Sequence, residues 1–382
     1  MTLDKHIKFL DGLRGVAALA VVLSHVTGMS VLNADNSPLV APPWFLQLFR
    51  FMGSLPVPTF IVLSGLVLTL PIVRRGSIGS ITDFYKRRCR RILPAYWAAL
   101  FVSAGVAWGI TGKIQAEDFA TWLMTFPLHI FLLQDVSSQN IEWNPALWSL
   151  AVEFHCYLWF PLMALAWRRY GVLNTSIVAL TAFTAAFFIA PGWRYQDIRF
   201  DLYCLFTFGA ITAWIISAPG ARWEFVRSLP WRLMRNTMAI GFVVLALTGQ
   251  YFHVISAGIV VNYFIGIWAV VTILSLFDDQ PDKLRDFLSS RAAVALGTIS
   301  YSVYLVHWVV LELALMVAAK VGADWHQVAV AGLLTAMVVP GSLALATVFY
   351  FIFERPFMAK QLRPGIERPN LAVIPDGAQL VK

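Results

Sequence analysis

Apolar runs of near twenty residues recur along the chain, separated by short polar stretches. They lie near residues 10–30, 55–73, 93–111, 146–167, 173–190, 201–217, 237–256, 259–277, 293–320 and 329–353. A helix of about 20 apolar residues crosses a hydrocarbon core, whereas a membrane β-barrel shows alternating segments of about ten. The pattern therefore predicts an all-α, polytopic integral membrane protein with about ten transmembrane helices around a central cavity. A further apolar run at 120–136 contains Pro127 and His129 and does not fit the same template.

Composition agrees. Of 382 residues, 59% are hydrophobic and 13% charged, where soluble domains carry about 25% charged residues. The net charge of +8 does not call for nucleic acid, because the basic residues cluster between apolar runs as cytoplasmic loops do. Arg74, Arg75, Lys86, Arg87, Arg88, Arg90 and Arg91 face a single Asp83 in 74–91. Arg168-Arg169, then Arg222 to Arg235, then Lys283 to Arg291, and the end from Arg355 onward follow. Ten spans put all of these on the N-terminal side, with both termini cytoplasmic. An eleventh span at 120–136 would throw the later clusters outside, so that run is expected to be re-entrant or interfacial.

Lys5 and Lys8 precede an apolar stretch as in a secretory signal. Arg14 interrupts that stretch, and an uncleaved first span is expected. Residues 1–358 read as one transmembrane domain and 359–382, with Pro364, Pro369 and Pro375, as a disordered cytoplasmic tail. Cys89, Cys156 and Cys204 lie far apart and imply neither a disulfide framework nor a zinc site; no metal is expected.

Candidate chemistry lies in polar residues inside the apolar runs. Arg14 and His25 are eleven positions apart in the first span, about three turns and roughly 16 Å, and so share a face. An ionisable residue at such depth is a functional candidate; the plain alternative is a snorkelling arginine and a histidine satisfied by a neighbouring helix. Ser64-Gly65 is either a polar site or a small-residue helix contact. Ser149, Glu153 and Tyr157 fall at i, i+4 and i+8; Glu153 either meets substrate or pairs with Arg194 or Arg199. His155 points elsewhere, as a packed, hydrogen-bonded histidine.

Ser300, Tyr301, Tyr304 and His307 form either a cavity wall or an aromatic packing stripe. Arg88 and Arg91, at i and i+3 ahead of Pro94, form either a planar phosphate receptor or an anchor to anionic lipid.

These segments together resemble the acyltransferase 3 family of multi-pass membrane acyltransferases. The matching pieces are Leu10-Asp11-Gly12-Leu13-Arg14-Gly15 through His25, the Ser64-Gly65 segment, Arg88-x-x-Arg91 ending in Pro94, and Trp148-Ser149-Leu150-x-x-Glu153. Ile299-Ser300-Tyr301-Ser302-x-Tyr304-Leu305-x-His307 and Glu354-Arg355-Pro356 complete the set. They run in order over residues 9–356, nearly the whole chain. Relatives O-acylate polysaccharides, nodulation factors, macrolides and periplasmic glucans.

The resemblance implies a bacterial inner-membrane enzyme that moves an acyl group, acetyl above all, from cytoplasmic acyl-coenzyme A to a hydroxyl of a carbohydrate or lipid-linked saccharide. It implies His25 as general base or transient acyl carrier, with Arg14 and Glu153 as further catalytic candidates. Arg88, Arg91 and Arg14 would recognise acyl-coenzyme A. Ser64, Ser149, Tyr301, Tyr304 and His307 would line the acceptor side. On this view a hydrated passage joins the arginine entrance to His25. Asp11, three residues before Arg14, is expected to orient its guanidinium.

Two other classes remain open on the residues alone. A secondary transporter or exporter of an envelope glycan or anionic metabolite also buries ionisable residues, although no repeat between halves is visible. A non-catalytic partner of an envelope polysaccharide system is the other.

Overall fold

The computed structural model describes residues 7–32, 53–111, 119–137, 144–189, 199–247, 259–278, 280–321 and 327–358. Among them the regular structure is entirely helical, and the protein is a polytopic membrane protein. In chain order the helices are α1 (Lys8–Leu32), α2 (Pro56–Arg75), α3 (Ile81–Gly109), α4 (Phe119–Ile130), α5 (Gln134–Ser137), α6 (Trp148–Tyr170), α7 (Val172–Ile189) and α8 (Phe200–Ser217). They continue as α9 (Ala221–Arg227), α10 (Trp231–Leu247), α11 (Ile259–Leu276), α12 (Lys283–Leu288), α13 (Arg291–Thr298), α14 (Ser300–Val321) and α15 (Gln327–Phe349). Eight are long and apolar enough to cross a bilayer. The seventh and eighth expected spans correspond to the shorter α10 and α11. The tail at 359–382 lies outside the described residues.

Three boundaries differ from the sequence expectation, each for a local reason. The basic stretch before Pro94 is the first part of α3, a 29-residue helix that passes through the proline. Ser80 caps it, accepting a hydrogen bond from the Asp83 amide at 3.2 Å. Hydropathy places charged residues in loops, whereas arginine and lysine are good helix formers. The ninth run breaks at Ile299, beside Gly297, and the Ser300 hydroxyl donates back to the Gly297 carbonyl at 2.8 Å. The tenth ends in a π turn over Tyr350–Glu354. A π turn rotates the residues that follow, and Glu354 ends up buried.

Among the described residues the 120–136 run does not form a spanning helix. α4 has 12 residues, about 18 Å at 1.5 Å per residue, against the ~30 Å of a hydrocarbon core. Leu123, Met124 and Phe131 stay exposed. Tyr96 and Trp97 of α3 donate to the carbonyls of His129 and Ile130 at 2.8 and 2.9 Å. The chain then turns at Leu132 (φ 56°) into α5.

Close backbone contacts set the register of the bundle. A Cβ at Gly65 would lie 2.1 Å from the Phe206 carbonyl oxygen, and one at Gly209 would lie 1.9 Å from that of Val62. These reciprocal glycines let α2 and α8 touch backbone to backbone, as small residues do between membrane helices. The same device joins α1 to α13: a Cβ at Gly15 would sit 2.5 Å from the Gly297 nitrogen, and one at Gly297 would sit 2.0 Å from the Asp11 carbonyl oxygen. Ten residues beyond Gly15 comes His25, and ten beyond Gly297 comes His307. The glycine contact thus fixes the level at which the two histidines face each other.

Gly297→Val is accordingly expected to force α1 and α13 apart. Overpacking of this kind costs about 1–3 kcal/mol, so the thermal unfolding midpoint should fall and acyl transfer should fall with it. Wild-type stability and activity in that variant would detach the glycine contact from the site.

Candidate active site

The helix face that carries Phe84, Arg88, Arg91, Ile92 and Ala95 turns inward, while Lys86, Arg87 and Arg90 remain exposed. This is the 3.6-residue period of α3 at work. It places Arg88 and Arg91 in a cavity of about 210 Å³ together with Arg14 of α1, Ser64 of α2, and Ser149, Glu153 and Tyr157 of α6. Asp11, Thr298, Ser300, Tyr301, Tyr304 and Glu354 complete its polar lining. The cavity runs from Asp11 and Arg14 near the start of α1 along Val57 to Leu68 of α2, and it borders exposed Thr298.

Three arginines and three carboxylates share this space, and their engagement differs. Glu153 accepts hydrogen bonds from the Ser64 and Tyr157 hydroxyls. Glu354 accepts one from Ser302 at 2.6 Å. Asp11 stands 3.8 Å from the Arg14 guanidinium, at the loose limit of an ion pair. Among the described residues, no carboxylate lies within ion-pairing distance of Arg88 or Arg91. Arg88 instead stacks over the Phe84 and Tyr157 rings at 5.9 and 5.8 Å, and its buried Nε has no hydrogen-bond partner. Buried donors normally find partners. Two guanidiniums without carboxylates, held near each other and near Arg14, fit an incoming polyanion.

His25 is not in that cavity. It lines a second one, of about 250 Å³, with Ser24, Met29, Ala146, Trp148 and Trp308. Its Nδ1 lies 2.8 Å from Nε2 of His307, and the two rings meet edge to edge, with centroids 5.1 Å apart and planes 5° from parallel. Trp308 meets the His25 ring edge-on at 5.1 Å, and its indole N–H donates to Glu312 at 3.0 Å. The two cavities are stacked along the same face of α1, as the eleven-residue spacing of Arg14 and His25 requires.

A continuous passage between them is therefore a corrected expectation. Tyr304 stands in the partition: its side chain lines the arginine cavity while its hydroxyl bonds to Ser149 at 2.6 Å and to the Ala146 carbonyl at 2.7 Å. Ala146 borders the second cavity.

Other expected placements also change. His307 is fully buried and lines neither cavity, so it cannot meet substrate directly in this state. Ser64, Ser149, Tyr301 and Tyr304 border the arginine cavity and not the space around His25. The alternative ion pair of Glu153 with Arg199 is absent, because Arg199 makes a two-point contact with Asp201 at 3.0 and 2.8 Å and lies over the Trp148 ring. Arg194 lies outside the described residues. His155 is hydrogen-bonded as expected, to Asp135 at 2.8 Å. Gly65, not Ser64, makes the close helix contact, while Ser64 borders the arginine cavity.

Trp148 and Trp308 escaped sequence reasoning, since tryptophan is ordinary at membrane interfaces. Glu354 was visible only as part of a motif.

Comparison with known proteins gives the chemistry a name. A family described as an acyltransferase domain, acyltransferase 3, matches residues 7–347. Nodulation protein 10 of Rhizobium leguminosarum bv. viciae is 26% identical, over 96% of this chain and 97% of its own length. The acyltransferase MdmB of Streptomyces mycarofaciens is likewise 26% identical, over 97% and 95%. A putative peptidoglycan O-acetyltransferase, YrhL of Bacillus subtilis, is 26% identical over 94% of this chain, which spans 56% of that longer protein. No solved structure matches. The chain belongs to the acyltransferase 3 family and is a membrane-embedded acyltransferase.

Proposed function

We propose that the protein transfers an acyl group, acetyl above all, from cytoplasmic acyl-coenzyme A to a hydroxyl of a carbohydrate or lipid-linked saccharide. Its place would be the bacterial inner membrane, with both termini in the cytoplasm. The observation that carries this reading is the pair Arg88 and Arg91, facing an internal cavity without carboxylate partners. The donor is a polyanion with a long flexible arm, and a cavity mouth with free guanidiniums is what its phosphates require. The names of relatives that modify peptidoglycan support a saccharide acceptor.

Bound there, the donor supplies an activated thioester; the chain's own residues do the rest. Arg88 and Arg91 hold phosphate, and Arg14 lines the same cavity beside them. Glu153 is held by Ser64 and Tyr157, and the three border the path of the arm. Tyr304 must release Ser149 and Ala146 for the acyl carbon to reach the second cavity. There His25 takes the proton of the acceptor hydroxyl as that oxygen bonds to the acyl carbon and the carbon–sulfur bond breaks. The imidazolium then returns the proton to the departing thiolate. Alternatively His25 carries the acyl group briefly before the acceptor arrives.

Labelled acetyl-coenzyme A incubated with the purified protein in liposomes tests the reading. Release of free thiol, with label appearing on protein or on added envelope saccharide, is the expected result. Silence in both channels would leave the arginine cavity to some other anion.

A further inference from the structure

The His25–His307 pair carries more than proximity. The Nδ1 of His307 lies 2.8 Å from the Tyr304 carbonyl oxygen and 3.2 Å from that of Val303. Carbonyl oxygens only accept, so this Nδ1 must hold a proton. In a neutral ring the Nε2 of His307 is then a lone pair. Facing that lone pair at 2.8 Å, the Nδ1 of His25 must be the donor. The remaining nitrogen of His25, Nε2, is left with a lone pair and has no hydrogen-bond partner among the described residues.

The alternative assignment requires an imidazolium at His307. Its side chain is fully buried, and no carboxylate is hydrogen-bonded or ion-paired to either ring among the described residues. A charge so placed has nothing to offset its loss of water. Trp308, held by Glu312, packs edge-on against His25 beside the His307 contact and restricts rotation of the ring.

We propose that His307 is a positioning residue that locks His25 in the tautomer protonated at Nδ1, leaving Nε2 as the atom that accepts the acceptor's proton. A backbone carbonyl, a first imidazole and a second imidazole form one directed chain of hydrogen bonds, in which His307 stands where a carboxylate often orients a catalytic histidine. A neutral orienting group suits a site deep in a bundle, where a carboxylate would add a charge to be desolvated. The catalytic part of this inference rests on His25 being the base; the tautomer itself does not.

Nitrogen-15 NMR of histidine-labelled protein reads the tautomer directly, with His25 assigned by difference against His25→Ala. The expected wild-type spectrum shows a protonated Nδ1 and an unprotonated Nε2 at His25. His307→Leu should remove that preference and lower kcat by roughly a hundredfold, within the usual range of base catalysis, with KM for acetyl-coenzyme A unchanged. His307→Gln, whose side-chain oxygen can accept from Nδ1, should restore both the spectrum and most of the rate. A purely packing role would be rescued as well by leucine as by glutamine.

A wild-type His25 protonated at Nε2, or one whose tautomer is indifferent to His307→Leu, would overturn the proposal. Should the tautomer behave as stated while His25→Ala keeps full turnover, the base reading fails and the positioning by His307 stands.

Discussion

His25→Ala is expected to lower the turnover number by about 10²–10⁴-fold, the contribution of a well-placed general base, while KM for acetyl-coenzyme A stays close to wild type. The separation of the two effects follows from the two cavities. His25 borders the second one, with Trp148 and Trp308, and none of its atoms lines the space that holds Arg14, Arg88 and Arg91. Removing the imidazole leaves α1 in register, because Gly15 and Gly297 set that register ten residues away. The protein should therefore insert, and unfold near its normal temperature. Thiol release and label transfer by the purified variant are the measurements. Full turnover would remove this histidine from the chemistry.

Replacing Arg88 and Arg91 together by glutamine should have the opposite signature: KM for acetyl-coenzyme A rises by about a hundredfold or more, and kcat changes little. A hydrogen bond to a charged group contributes about 1.5–3 kcal/mol, and two guanidiniums are lost. The fold should tolerate the change. Neither side chain is ion-paired to a carboxylate among the described residues, so no direct salt bridge is broken, and Arg88 makes ring contacts with Phe84 and Tyr157. Acetyl-pantetheine, which lacks the nucleotide phosphates, supplies the control: wild type and variant should process it equally. Raised ionic strength should weaken acetyl-coenzyme A binding to the wild type and barely affect the variant. An unchanged KM would reduce both arginines to determinants of membrane orientation.

The spans were legible in the sequence because continuous apolar runs report directly on helix length. Hydropathy misplaced the residues at 81–92 for the same reason that it succeeded elsewhere. It counts charge as loop, whereas the first turns of α3 put Lys86, Arg87 and Arg90 on the exposed face and turn Arg88 and Arg91 inward. The 120–136 run was separable from a true span by topology, and the 12-residue length of α4 agrees.

Chemistry at long range was not legible. His25 and His307 are 282 positions apart, and no periodicity relates them; the glycine contact between α1 and α13 helps bring them level. The expectation of one open passage assumed that residues on one helix face share one cavity. They share a direction, but Tyr304 divides the space, and its bonds to Ser149 and Ala146 depend on three segments meeting. Glu153 posed a similar problem. A buried glutamate suggests a cationic partner, and here the Ser64 and Tyr157 hydroxyls take that place.

The central claim is that the donor's phosphates rest on Arg88 and Arg91 while its thiol end points through the Tyr304 partition toward His25. A structure of the full chain with coenzyme A bound tests this in one measurement. Phosphate density on the two guanidiniums, with the sulfur against Tyr304 and Ser149 or beyond them within reach of the imidazole, is the predicted result. Coenzyme A bound outside the arginine cavity, or an arm leading away from the partition, would contradict it.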